Sequence, residues 1–389
     1  MSELRTFSLP IGPRLSDFDE IFSELHGTVN DFFIQPDDYI RVRHEGRIRP
    51  ITDTPVGERA MDTLINDMVP APIAAAIKKG EPQSWSHRIR LPSDDDEDSP
   101  GQTLRFRCES DSMQTLMSYE QFGLTMRPIP IYPKTLDSLN LPPRLVDGLF
   151  PETGIVLFSG PTGSGKTTTL AATLREICYH PEGKVLLTME DPLEYNLHAL
   201  PNRTGVLRHA ELGRNLESFP LGIKSALRKN PDTIMVGEMR DLDTILLGVE
   251  ASQTGHNMYS TLHTNSCAGV FARMAQKLPE GRALPVMASF IEASRTFVYQ
   301  RLYPAEGGGV VPVIEFVCLT PDDRSQLLKA LASGGMAEVS RTMEQIMPVS
   351  GQLFQDSARQ ALEAGKITQA RYQSITRSYE QASKSDTLI

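Results

Sequence analysis

Gly160, Pro161, Thr162, Gly163, Ser164, Gly165, Lys166, Thr167 and Thr168 stand in an order suited to polyphosphate. They fill every fixed position of the pattern G-x-x-x-x-G-K-[ST]. The glycines let successive backbone N–H groups converge on anionic oxygens, and a helix beginning at the loop adds a favourable dipole. Lys166 has the reach and charge for the β- and γ-phosphates, and the Thr167 hydroxyl is a hard ligand for Mg²⁺. The flanks agree. Gly154–Ser159 reads as a buried strand entering the loop, and Thr169–Ile177 as a helix leaving it. Motif and context together disfavour the alternative, a glycine-rich turn that binds nothing. The stretch predicts a nucleoside triphosphate site.

Three further candidates lie at the ends of apolar runs. Met189 is followed by Glu190, Asp191 and Pro192, and the proline stops the strand with its carboxylates at the tip. Such a pair can hold a metal-bound water or orient the attacking one, although acidic residues at strand ends are also common caps. In Asn230–Glu238, small and apolar residues lead the Glu238 carboxylate to a strand end. Glu238 would either bind Mg²⁺ through water or polarise the nucleophile. Asp241, just beyond, suits a helix N-cap equally well. His256 and His263 bracket a short strand, and His263 falls at its end. It would sense the γ-phosphate or contact a neighbour. Zinc is disfavoured, because no cysteine or third histidine has suitable spacing.

These residues need a scaffold. Thr153–Ser159, Lys184–Met189, Thr233–Gly237 and Asn257–Leu262 read as near-continuous apolar strands, with helices at Leu221–Lys229, Leu242–Gln253 and Ala268–Lys277 between them. That alternation predicts a parallel sheet covered on both faces, with ligands at the carboxyl ends of its strands. Thr296–Leu302 and Val310–Leu319 read as a hairpin across Gly307–Gly309, followed by a helical part and a polar, frayed end after Tyr379.

The first 130 residues read differently. Helices are predicted at 15–30, Glu58–Val69 and Ile73–Lys79, with strands at 31–36, 38–44, 47–51, 84–91, 103–109 and 122–128. This is a small α+β domain with a mostly antiparallel sheet. The acidic run Asp94–Asp98 reads as a solvated hairpin loop. Prolines 128, 130 and 133 make a stiff connection. The expected division is an N-terminal domain over 1–128, a linker over 129–135 and a C-terminal domain over 136–389.

Composition narrows the class. The chain has 389 residues, 40% hydrophobic and 23% charged, as in a soluble globular protein. Lys+Arg of 39 against Asp+Glu of 49 leaves −10, which does not suggest a general nucleic-acid or membrane-surface binder. No signal peptide or transmembrane run is evident. Cys108, Cys178, Cys267 and Cys318 form no C-x-x-C pair and read as reduced, mostly buried thiols of a cytoplasmic protein.

Taken together, Gly160–Thr167, Glu190–Glu194, Ile234–Glu238 and Gly255–His263 resemble the Walker A, Asp box, Walker B and His box of the secretion ATPase superfamily. The string Asn-Pro-Asp-x-Ile-x-Val-Gly-Glu-Met-Arg-Asp (230–241) and Thr261–Asn265 are similar to the PilT branch. Phe32–Gln35, Ile40–His44 and Leu104–Arg107 look most like the DotB/TraJ ATPases of type IVB secretion and conjugation. The resemblance implies a RecA-like P-loop NTPase motor domain with a smaller N-terminal PAS-like α+β domain. It implies a cytoplasmic homohexamer that hydrolyses ATP with Mg²⁺ and docks on an inner-membrane secretion complex, without binding nucleic acid directly. Thr167, Glu238 and Glu190 would serve the metal; Glu190, Glu238, Lys166 and His263 would serve catalysis. Arg107 and Arg127 match the family's phosphate-binding arginines, with Arg105 a lesser match. The four-cysteine insertion of GspE-type members is missing, and so is the Ala-Ile-Arg-Asn-Leu-Ile element of pilus retraction motors. A retraction motor and a nucleotide-gated assembly adaptor with little turnover are the competing readings, and a nucleic-acid motor is disfavoured.

Overall fold

A computed structural model describes residues 4–44, 46–91, 103–115, 118–279, 281 and 283–387. The acidic run 94–98 lies outside these. The chain forms two compact units, Met1–Ile131 and Tyr132–Ile389.

The N-terminal unit contains α1 (Leu15–Glu24), β1 (Asp31–Ile34), β2 (Arg41–His44), β3 (Arg47–Pro50), α2 (Glu58–Met68), α3 (Ala71–Lys78), β4 (Gln83–Arg90), β5 (Thr103–Met113) and β6 (Gln121–Ile129). Its strands form one antiparallel sheet in the order β3-β2-β1-β6-β5-β4. Period-two alternation puts Leu104, Phe106 and Cys108 of β5 into the core with Phe18, Ile21 and Phe22 of α1. Phe22 packs edge-on to Phe32 at 5.2 Å. Pro128, read above as the start of the connection, is instead part of β6 opposite Phe106.

The C-terminal unit runs α4 (Pro143–Gly148), β7 (Gly154–Ser159), α5 (Lys166–Cys178), β8 (Val185–Glu190), β9 (Val206–Glu211), α6 (Phe219–Ala226), β10 (Thr233–Glu238), α7 (Leu242–Gln253), β11 (Asn257–Leu262), α8 (Gly269–Ala275), α9 (Ala283–Ala293), β12 (Ser294–Pro304), β13 (Val310–Cys318), α10 (Pro321–Ser350, kinked at Gly335), β14 (Gly351–Gln352), α11 (Phe354–Glu363) and α12 (Gln369–Thr387). The sheet order is β14-β13-β12-β7-β11-β10-β8-β9. The strands from β12 to β9 are parallel, and β13 and β14 add an antiparallel margin.

Why these strands are apolar throughout follows from two cores. Ile155 and Leu157 of β7 enter one with Ile234, Val236 and Met258. Val156 and Phe158 enter the other with Met235 and Tyr259. Both faces are covered, so alternation between polar and apolar residues is absent where it would otherwise reveal a strand.

The end of the chain departs from expectation. Instead of fraying after Tyr379, α12 continues to Thr387, and Tyr379 is buried. Its hydroxyl donates to Glu315 Oε2 in β13, while the Cys267 backbone N–H donates to Oε1 at 2.6 Å. Glu315 is 2% exposed. Burial pushes its carboxyl above the usual range, and these two donors oppose the shift. A carboxyl so deep needs both donors.

Candidate nucleotide-binding site

The loop 160–165 joins β7 to α5, and Lys166 opens the helix with Gly165 at its cap. Gly160 and Gly165 have φ of 138° and 88°. A Cβ at Gly160 would stand 2.4 Å from the Gln300 carbonyl of β12, and one at Gly165 would stand 2.5 Å from Gln300 Nε2. Only glycine fits this close approach. Gln300 also accepts from Thr169 Oγ1 at 2.9 Å, so β12 supports the loop from beneath. Lys166 is 8% exposed and donates to the carbonyls of Gly160 at 2.7 Å and Pro161 at 2.9 Å. Burial lowers its pKa, and the carboxylates of Glu194 and Glu238 act in the opposite direction.

Around the loop, adjacent strands deliver the other candidates. Glu190 is the last residue of β8 and is 7% exposed. Glu238 is the last residue of β10, and an irregularity between Val236 and Glu238 brings Glu238 opposite Thr261 of β11. Such a shift re-aims a side chain at a strand end. Thr261 Oγ1 fixes the bend by donating to the Gly237 carbonyl at 2.6 Å. Arg240 joins the two carboxylate segments, donating from Nε to Glu238 at 2.8 Å and from Nη1 to Asp191 at 3.1 Å. Asp241 is a helix cap, accepting from the Thr244 N–H at 2.8 Å.

His263 follows β11 directly, and its Nδ1 lies 3.2 Å from the Gly160 carbonyl, so the histidine touches the loop itself. His256 is at the other end of the same strand, beside the Pro231 carbonyl. A cleft of about 270 Å³ opens beside the loop, lined by Gly160, Pro161, His263, Asn265, Arg273 and Gln276. Tyr195 ties the segment after β8 to α5 through a 3.2 Å bond with Thr168.

The donor set fits Mg²⁺. Thr167, Glu190 and Glu238 offer hydroxyl and carboxylate oxygens, which suit a hard cation that shares its shell with substrate phosphates and water. The Ser164 hydroxyl, in the loop that would receive the phosphates, is buried with no hydrogen-bond partner among the described residues. Bound there, the metal would neutralise charge on the phosphoryl oxygens.

The sequence candidates thus fall into two groups. Lys166, Thr167, Glu190, Glu238 and His263 converge at the carboxyl ends of the parallel strands. Arg107 and Arg127 belong to the N-terminal unit, where they are cross-strand partners in β5 and β6. Arg127 is anchored by Asp31 Oδ1 at 2.7 Å and remains 65% exposed; Asp31 Oδ2 accepts from Arg43 at 3.2 Å. Arg105 is buried. Tyr195, Arg240 as a bridge, and Arg273 escaped the sequence reading. Arg240 carried a signal, being two residues beyond Glu238.

Removing the Arg240 bridge tests its role in aiming Glu238. Arg240→Ala is expected to lower kcat about tenfold, as orienting partners of reactive carboxylates do. The melting temperature should hardly move, because half-exposed ion pairs contribute little to stability. Steady-state kinetics and a thermal melt check both.

A phosphate loop between strand and helix, with carboxylates and a histidine on neighbouring parallel strand tips, defines a P-loop NTPase of RecA-like fold. A family model for type II/IV secretion system proteins matches residues 140–306. The type IV pilus retractation ATPase PilT of Pseudomonas aeruginosa is 31% identical over 305 residues, covering 76% of this chain and 82% of that protein. An uncharacterized Escherichia coli protein, YggR, is 32% identical over 245 residues, 63% of this chain and 73% of its own length. The crystal structure of the Legionella pneumophila ATPase DotB superposes with a TM-score of 0.82 at 28% identity, covering 97% of this chain and 98% of that one. This chain belongs to the type II/IV secretion ATPase family and is an ATP-hydrolysing enzyme. No helix among the described residues is long and apolar enough to cross a membrane.

Proposed function

We propose that the protein is a hexameric motor of the DotB/TraJ kind, which hydrolyses ATP with Mg²⁺ to power a type IVB secretion or conjugative transfer system. One observation carries this reading: the likeness to DotB extends over 97% of the chain and so includes the N-terminal unit as well as the motor. In this reading Lys166 and the loop N–H groups hold the β- and γ-phosphates, and Thr167 supplies a metal ligand. Glu238 and Glu190 orient the attacking water, and His263 reports the γ-phosphate to the loop it touches. Arg127 and Arg107 serve the nucleotide of a neighbouring copy. Arg127 suits that role, since the buried Asp31 holds its Nε while most of the side chain stays exposed. The enzyme works in the cytoplasm and docks peripherally on an inner-membrane complex.

The test is ATPase rate against protein concentration, with light-scattering mass, for wild type and Arg127→Ala. Sites shared between copies require a rate per subunit that rises as hexamers form. The variant should then lose about 1,000-fold, as enzymes do when an arginine supplied in trans is removed. A monomer with a concentration-independent rate, unaffected by the substitution, would overturn the reading. The identity to PilT supports a second one, pilus retraction. Deletion would then abolish twitching and leave pili in place, whereas loss of secretion or plasmid transfer favours the first.

A further inference from the structure

Beside Glu190 stands a residue that no motif marks. His209 lies on β9, the outermost parallel strand, directly opposite Thr188 in the register that also sets Glu190 against Glu211. Its side chain is 7% exposed. Nε2 accepts the backbone N–H of Leu197 at 3.2 Å. A ring nitrogen that accepts carries no proton, so in the neutral imidazole the hydrogen is on Nδ1. Nδ1 makes a short hydrogen bond with Thr188 Oγ1 and lies 3.6 Å from Glu190 Oε1. His198 meets the ring edge-on at 5.2 Å.

We infer that His209 is a positioning residue for Glu190, its Nδ1–H edge holding Thr188 and flanking the carboxylate. The inference rests on the reading that Glu190 serves hydrolysis. Thr188 and Glu190 are two apart on β8 and so project from the same face of the strand. The ring closes one side of the carboxylate. The Glu194 N–H approaches the other oxygen at 3.4 Å. The same ring also holds the segment after β8 through Leu197, and Tyr195 of that segment bonds Thr168 of the loop helix. One imidazole thus serves two tasks through two different nitrogens, and the tasks can be separated.

Asparagine places an amide N–H near the position of Nδ1, and glutamine places an acceptor near that of Nε2. His209→Asn, His209→Gln, His209→Ala and Glu190→Gln are therefore made in the full chain, and kcat, KM for ATP and melting temperature are measured. We expect His209→Ala to lose about 10- to 100-fold in kcat with KM little changed, the range seen when an orienting partner is removed. His209→Asn should stay within about threefold of wild type, and His209→Gln should be as slow as alanine even where it restores the melting temperature. A Gln variant that recovers kcat while Asn does not would overturn the inference, since the ring would then act only by anchoring Leu197. So would wild-type kcat in all three. Should alanine fail to fold, the Asn and Gln pair decides alone. Glu190→Gln separates the two levels. If it turns over normally, the reading of Glu190 is wrong; if it is slow while every His209 variant is fast, only the positioning role is wrong.

Discussion

Lys166→Ala is expected to lower ATP turnover by about 1,000-fold or more, the scale of losing a principal charge on the transferring phosphoryl group. The side chain is 8% exposed, and its ammonium is held by two carbonyls of the loop itself. Its charge is therefore spent at one point, where the loop converges. Nucleotide binding should weaken along with turnover, because the ammonium would engage the phosphates in ground and transition state alike. Stability should move the other way or not at all. A buried ammonium with lowered pKa is costly to bury, so the alanine variant should melt at or above the wild-type temperature. Fluorescent-nucleotide titration, turnover and a thermal melt read the three effects. Retained turnover would show that the loop does not hold the phosphates.

Glu238→Gln is expected to separate binding from chemistry. The amide is isosteric, and its oxygen can still accept from Arg240, whose 2.8 Å bond holds the carboxylate now. What disappears is the negative charge that, in the proposed function, orients the attacking water. We expect kcat to fall about 100- to 10,000-fold with KM for ATP nearly constant, the range for removal of a group acting on a proton in flight. Glu190→Gln is the control: whichever glutamine costs more kcat marks the carboxylate nearer the water. A Glu238→Gln enzyme within about threefold of wild type would leave Glu238 with no catalytic part.

Much of this site was legible in the sequence, for a physical reason. Phosphate binding is built from backbone and a few obligatory side chains, so Gly160, Gly165, Lys166 and Thr167 stand at fixed spacing, and strands buried on both faces announce themselves as apolar runs. The same rules hide other parts. Strand β9 is an edge, its sequence Val-Leu-Arg-His-Ala-Glu mixes charge with apolar residues, and it was passed over; His209 went with it. The end after Tyr379 looked like a fraying tail because its residues are polar, and the apolar side chains that seat α12, Ile375 and Tyr379, lie before it. Arg127 stood out as a candidate, but its buried counter-ion Asp31, 96 residues away in sequence, could only come from the sheet. Long-range pairs of this kind leave no local pattern.

The seat of Tyr379 on Glu315 also bears on the order in which the chain is made. Domains fold as units, the first-synthesised first. The N-terminal unit has its last strand in hand at Ile129. The motor unit does not: Glu315 lacks its phenol until 64 more residues have been added. During that interval the carboxyl has the Cys267 N–H at 2.6 Å, whereas the phenol and the Phe354 backbone that also favour its charged form are still to come. Translation thus delivers a finished N-terminal unit, followed by a motor unit whose interior closes only after Tyr379 has been added.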